Sequence, residues 1–154
     1  MDRPIRPSAK ALIIRDGRML AIRIQDGDET FHIMPGGGQE PDESLTDAVT
    51  REVAEELGLR VRAGDLAFVI EGIRGEPFHR IDLVFQCEYL GEIENADIHG
   101  DTHQVGFDWL DIATLNRSTL YPSKLRRPIM NLHAGKPYPV YLGNESAGDP
   151  EITE

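Results

Sequence analysis

The stretch from Gly36 to Leu59, GGGQEPDESLTDAVTREVAEELGL, constrains the chain more than any other. Three glycines lead through Gln39-Glu40-Pro41-Asp42 into a segment dense in acid that carries the period of an α-helix. With Leu45 at zero and 100° per residue, Val49 falls at roughly 40°, Val53 at roughly 80° and Ala48 at roughly 300°, which defines an apolar arc. Glu52 at roughly 340°, Glu56 at roughly 20° and Glu55 at roughly 280° fall on or beside that same arc. A Glu-rich helix ordinarily turns its acids to solvent, but these crowd the face that should be buried. Like charges one turn apart repel, and each costs free energy to desolvate. Such an arrangement calls for a counter-charge. A hard divalent cation such as Mg²⁺ is the natural one, because it takes carboxylate and carbonyl oxygens. The glycines just upstream suit close backbone approach to a ligand and offer amides to phosphate.

Read at fixed spacing, the stretch gives Gly37, Glu43, Arg51-Glu52-Val53, Glu55-Glu56 and Gly58-Leu59. It resembles the signature of the Nudix hydrolase family (MutT-like), G-x5-E-x7-R-E-U-x-E-E-x-G-U with U a bulky aliphatic, and every fixed position matches. The resemblance implies a Nudix fold, an α/β/α sandwich around a mixed sheet. It also implies Glu52, Glu55 and Glu56 as metal ligands with the Gly36 carbonyl added, Mg²⁺ as the ion with Mn²⁺ as the alternative, and an orienting role for Arg51. The residues themselves place Arg51 as an anchor, able to form a charge-assisted pair with Glu43 or with one of the other acids.

The rest of the chain bounds the reading. Its 154 residues suit one domain with a real core. The net charge of −11 speaks against non-specific binding to DNA or RNA, which draws its affinity from Lys and Arg on phosphates. A small phosphorylated nucleotide remains compatible with that charge if a bound metal supplies the positive counterpart. Cys87 is the single cysteine, so no intrachain disulfide forms, and it sits in an apolar strand pattern. Nothing resembles a signal peptide or an apolar span, which leads to the expectation of a cytoplasmic enzyme with no membrane partner, as monomer or homodimer.

Residues 1–7 carry two prolines and no periodicity and are expected to form an arm. Residues 8–15 and 18–25 read as a hairpin about Asp16-Gly17, and 31–34 as a short strand. The glycines at 36–38 read as a turn. The helix is expected from Asp42 or Glu43, after Pro41, to Leu57, with Gly58 stopping it. Strands follow at 59–61, 66–73, 80–90 and 104–110, then a helical turn at 111–115. A second helix over 122–132 is strained by Pro128. Residues 8–142 form the domain, and 143–154, acidic and rich in Gly and Pro, read as a flexible tail. Mixed strands with few helices place the fold in the α/β (α+β) class.

The resemblance implies Mg²⁺-dependent cleavage of the pyrophosphate bond of a nucleoside diphosphate linked to another group. Elimination among known variations around the box leads toward a nucleoside triphosphate, modified or not. ADP-ribose or a nucleotide sugar is the alternative, as is a non-catalytic nucleotide-binding module on the same fold. A non-catalytic relative would commonly lack one of the glutamates; here all are present, which favours the enzyme. Catalysis is assigned to Glu52, Glu55 and Arg51, with Glu52 ahead of Glu55 as general base and Asp97 and Asp101 as distant candidates. Gln104 stands where a loop acid could serve, and an amide cannot accept the proton. Outside the box, Glu71, His79 and Arg80 are candidates for touching substrate, beside the plainer reading of paired or surface side chains.

Overall fold

A computed structural model describes residues 3–100 and 103–154. Eight strands form one mixed sheet in the order β3-β2-β1-β6-β5-β8. Strand β1 is Ile5–Arg15, β2 Arg18–Asp26, β3 Glu29–Ile33, β4 Gly36–Gly38, β5 Leu59–Gly72, β6 His79–Glu92, β7 Gln104–Asp111 and β8 Tyr141–Asn144. β4 pairs with β1, and β7 pairs with β2. β1 runs parallel to β6 and β5 parallel to β8; the other pairings are antiparallel. Among the described residues, helix α1, Leu45–Leu57, and helix α2, Arg126–His133, are the two α-helices.

Side-chain alternation along β1 divides the core in two, because successive side chains leave a strand on opposite faces. Ala9, Ala11 and Ile13 pack with Ala48, Val49, Val53 and Leu57 of α1. Leu12 belongs instead to the opposite cluster, with Phe68, Ile70, Val84, Leu125 and Ile129 of α2. The result is helix, sheet, helix: the expected sandwich around a mixed sheet. Among the described residues no helix is long and apolar enough to cross a membrane.

The expected boundaries shift where long-range partners decide. The arm expected over 1–7 gives way to strand at Ile5, because Ile5, Arg6 and Pro7 pair with His79, Arg80 and Ile81. The glycine turn is strand β4, aligned antiparallel with Ser8–Lys10. The helix begins at Leu45 rather than Asp42 or Glu43: Asp42 has a left-handed φ of 69°, and the Ser44 hydroxyl accepts the Asp47 N–H as N-cap. The strands expected at 59–61 and 66–73 are one strand whose register shifts absorb the polar residues between them. Pro128 is the third residue of α2, where its missing N–H would have had no helical partner.

Residues 143–154, expected as a flexible tail, contact the segment that leads into α2. After β8, the Glu145 carboxylate accepts from Ser123 N at 2.7 Å, Ser123 Oγ at 2.8 Å and Lys124 N at 2.9 Å. Arg126, buried under Tyr121, donates from Nη1 to Glu151 at 2.6 Å. These partners lie more than twenty residues away in sequence, where local composition carries no sign of them.

Candidate functional site

Helix α1 and strand β4 build the acidic site together. Gly36 has φ 129°, and a Cβ there would lie 2.1 Å from the Ala9 carbonyl oxygen, so only glycine admits this pairing. The Gly36 N–H donates to Glu56 Oε1 at 2.8 Å. Gln104, from β7, donates through Nε2 to Glu56 Oε2 at 2.9 Å. Burial pushes the Glu56 carboxyl upward, against the opposing effect of these two donors.

Arg51 is the hub of the remaining acids. It donates from Nε and Nη2 to the two oxygens of Glu43 at 3.0 and 2.7 Å. Its Nη1 bridges Glu52 Oε1 at 3.0 Å and Glu55 Oε2 at 3.2 Å, and Nη2 also reaches the Gly38 carbonyl at 3.1 Å. The Arg51 hydrogen bonds, helped by the Glu40 N–H, hold the Glu43 carboxyl down at about 2, and the guanidinium is pushed above its ordinary range in return. Arg51 thus ties the turn before the helix to two acids on it.

Among the described residues no three acidic, His or Cys side chains converge on one point as chelating ligands in this conformation. The donor set nevertheless fits a hard divalent cation. A Cβ added at Gly37 would meet the Glu52 carboxylate at 2.6–2.9 Å, and Glu56 lies on the amide of Gly36. Both carboxylates therefore border one dipeptide whose Gly36 carbonyl is a further oxygen donor, and Glu55 is joined to Glu52 through a single guanidinium nitrogen. These are all oxygen ligands with excess negative charge, the chemistry Mg²⁺ and Mn²⁺ take.

A cleft of about 860 Å³ lies on the α2 side of the sheet. Lys10 connects it to the acids: it lines the cleft, and its Nζ is 3.4 Å from the Gly36 carbonyl oxygen. Phe31 and Tyr121, edge to face at 6.1 Å, also line the cleft. Of the three candidates outside the box, Arg80 lines the cleft, whereas Glu71 and His79 do not. His79 Nε2 lies 2.9 Å from Glu71, whose other oxygen accepts from Tyr141, so these two are paired with each other. Asp97 is exposed beside His99, and Asp101 lies outside the described residues.

Lys10, Phe31, Tyr121 and the Gln104–Glu56 bond were not legible as site features. Lys10 interrupts the apolar row of β1 at one position, which is the one local signal available. The aromatic pair is assembled from residues ninety apart in the chain.

Residues 4–131 match the family model of the NUDIX domain. A MutT-like protein of Streptomyces ambofaciens is 40% identical over 91 residues, which cover 58% of this chain and 55% of that protein. The match thus spans little more than half of that relative's length. A NUDIX hydrolase from Nitrosomonas europaea superposes with a TM-score of 0.70 at 24% identity, covering 90% of this chain and 94% of that one. An ADP-ribose pyrophosphatase from Streptococcus suis gives a TM-score of 0.63 at 21% identity, covering 91% and 98%. Both structures are similar to this chain in fold.

Proposed function

Since the chain belongs to the NUDIX domain family, we propose that it is a Mg²⁺-dependent pyrophosphohydrolase whose substrate is a nucleoside diphosphate linked to another group, in first place a nucleoside triphosphate. The observation that carries this reading is the placement of Glu52 and Glu56 on the Gly36-Gly37 backbone, whose Gly36 carbonyl lies 3.4 Å from the Nζ of the cleft-lining Lys10. Divalent metals are general in the family.

In this reading Gly36 O, Glu52, Glu55 and Glu56 hold the cation. When bound, it neutralises charge on the diphosphate and acidifies the attacking water. Glu52 serves as proton acceptor: Arg51 fixes its Oε1, and among the described residues no hydrogen bond engages Oε2. Arg51 is a positioning residue that acts through Glu52 and Glu55. Lys10 sets a positive charge where the phosphate chain passes from cleft to acids, and Phe31 with Tyr121 offers an aromatic wall to a base.

The test is a panel of nucleoside triphosphates, ADP-ribose and nucleotide sugars, each incubated with Mg²⁺ or Mn²⁺ and followed by release of phosphate, pyrophosphate or nucleoside monophosphate. Metal-dependent cleavage of a triphosphate above the others is expected. Binding without turnover across the panel would instead make the chain a nucleotide-binding module.

A further inference from the structure

A hydrogen-bonded chain crosses three strands and ends at the cleft. It runs from Arg23 on β2 through Asp108 on β7 and His32 on β3 to Thr119. Arg23 donates to both oxygens of Asp108, from Nε to Oδ2 at 2.9 Å and from Nη2 to Oδ1 at 3.2 Å. His32, its side chain only 12% exposed, places Nε2 2.8 Å from Asp108 Oδ2 and Nδ1 2.8 Å from Thr119 Oγ1. Thr119 is itself exposed and lines the cleft, and its bond to His32 lies at the exposed surface. Its backbone is fixed too: His32 N donates to Thr119 O at 2.9 Å, and Tyr121 N donates to His32 O at 2.8 Å. The same ladder therefore carries Thr119 and Tyr121, half of the aromatic pair with Phe31 in that cleft.

Donors and acceptors along this chain can be assigned from chemistry. The His32 hydrogen bond and the Arg23 guanidinium hold the Asp108 carboxyl below its ordinary range, so near neutral pH it is ionised and only accepts. His32 therefore carries a proton on Nε2. In the neutral imidazole Nδ1 is then a lone pair, and the Thr119 hydroxyl is its donor. With its one hydrogen committed to His32, Oγ1 has only lone pairs left to offer the cleft.

We propose that Thr119 is a specificity-determining residue whose hydroxyl oxygen, oriented by His32 and Asp108, accepts a hydrogen bond from an N–H on the edge of the substrate base. The inference rests on the nucleotide reading above. The base is the part concerned because Thr119 stands two residues from Tyr121 on one ladder: the aromatic pair meets the face of a base, and Thr119 its edge. An unrestrained threonine hydroxyl rotates to suit donor and acceptor alike. One turned onto His32 suits donors only, and a site built to pair an N–H rejects a base that lacks it. His32 and Asp108 are positioning residues that act through Thr119.

The test measures binding by calorimetry at pH 8 with Mg²⁺ in excess. The ligands are nucleoside monophosphates, which keep base, sugar and phosphate and offer no pyrophosphate bond to cleave. Wild type, Thr119→Val and Thr119→Ser are titrated with AMP, GMP, CMP and UMP. The tightest binder is then compared with its analogues lacking a base N–H (purine for adenine, hypoxanthine or 1-methylguanine for guanine, 2-pyrimidinone for cytosine, 3-methyluracil for uracil) and with its deoxy sugars. Melting curves verify folding, and Thr119→Ala replaces the valine variant if that one is unfolded. Thr119→Val should lose about 5- to 10-fold for the preferred monophosphate, and Thr119→Ser should stay within about twofold of wild type. For one analogue lacking an N–H, wild type and Thr119→Val should bind alike. Two-bond ¹H–¹⁵N NMR of the wild type at the same pH should show His32 protonated on Nε2 and bare on Nδ1. A loss equal for parent and every analogue, a loss that disappears with a deoxy sugar instead, no loss, no binding by any monophosphate, or a proton on Nδ1 overturns the role of Thr119. Absence of metal-dependent hydrolysis by wild type across the nucleotide panel overturns the enzymatic reading instead, and leaves the binding result standing.

Discussion

Arg51 and Glu43 face each other through two parallel hydrogen bonds, Nε to Oε2 at 3.0 Å and Nη2 to Oε1 at 2.7 Å. The same guanidinium then spends Nη1 on Glu52 and Glu55. Glu43 therefore sets the plane of the group that orients the two acids. Glu43→Gln should keep the fold and lower kcat about tenfold, by loosening Glu52 rather than by removing a reacting group. The Glu43 carboxyl, held at about 2 by Arg51, contributes stability that is complete above its ordinary 4.5 and is lost as pH falls through about 2. Urea midpoints of wild type and variant should thus differ at pH 6 and converge toward pH 2.

Gly36 and Gly37 should respond differently to alanine. A Cβ at Gly36 strikes the Ala9 carbonyl at 2.1 Å and is disfavoured by φ 129°, so Gly36→Ala should unfold or severely destabilise the protein. At Gly37 the Cβ meets the Glu52 carboxylate at 2.6–2.9 Å, the end of a side chain that can move. Gly37→Ala should therefore retain a melting temperature close to wild type while turnover falls by at least about tenfold. Thermal melts read beside kcat separate the two effects.

Glu145 caps a distant element. Its carboxylate takes the N–H groups of Ser123 and Lys124 and the Ser123 hydroxyl at the start of the segment that leads into α2. Glu145→Ala should cost about 2 kcal/mol, from lost hydrogen bonds and unsatisfied donors. Because Glu145 and Ser146 also line the cleft, the variant should raise KM more than it lowers kcat. Denaturant unfolding and steady-state kinetics measure the two consequences.

The acidic helix was legible because its chemistry is periodic. Glu52, Glu55 and Glu56 lie within five residues, and their conflict with Val49 and Val53 on one face is visible from spacing alone. The α/β/α arrangement was implied by the family resemblance that the same box carries; the pattern of strands and helices by itself gave only the α/β (α+β) class. Lys10 and Gln104 were hidden because each is placed beside the acids by a partner that the sheet brings in: Gly36 and Glu56. The contacts of residues 143–154 were hidden for a related reason. Acid, glycine and proline mark a flexible segment only when the acids have no partners, and Glu145, Asp149 and Glu151 find theirs at Ser123, Ser146 and Arg126.

The proposed metal site implies that buried Glu56 is kept for a cation. Its carboxyl is pushed upward by burial, so the folded, metal-free protein holds that proton more tightly than the unfolded chain. Its ionisation therefore removes stability as pH rises above 4.5, and a cation restores it. The measurement is a Mg²⁺ titration of wild type and Glu56→Gln, starting from EDTA at pH 8, with melting temperature and nucleotide hydrolysis read on the same samples. Wild type should gain melting temperature and turnover together as Mg²⁺ rises. The variant should start at an equal or higher melting temperature, gain little from Mg²⁺, and turn over at least about 100-fold more slowly. Contradiction would be an unfolded variant beside a wild type whose melting temperature ignores Mg²⁺, or hydrolysis that persists in EDTA.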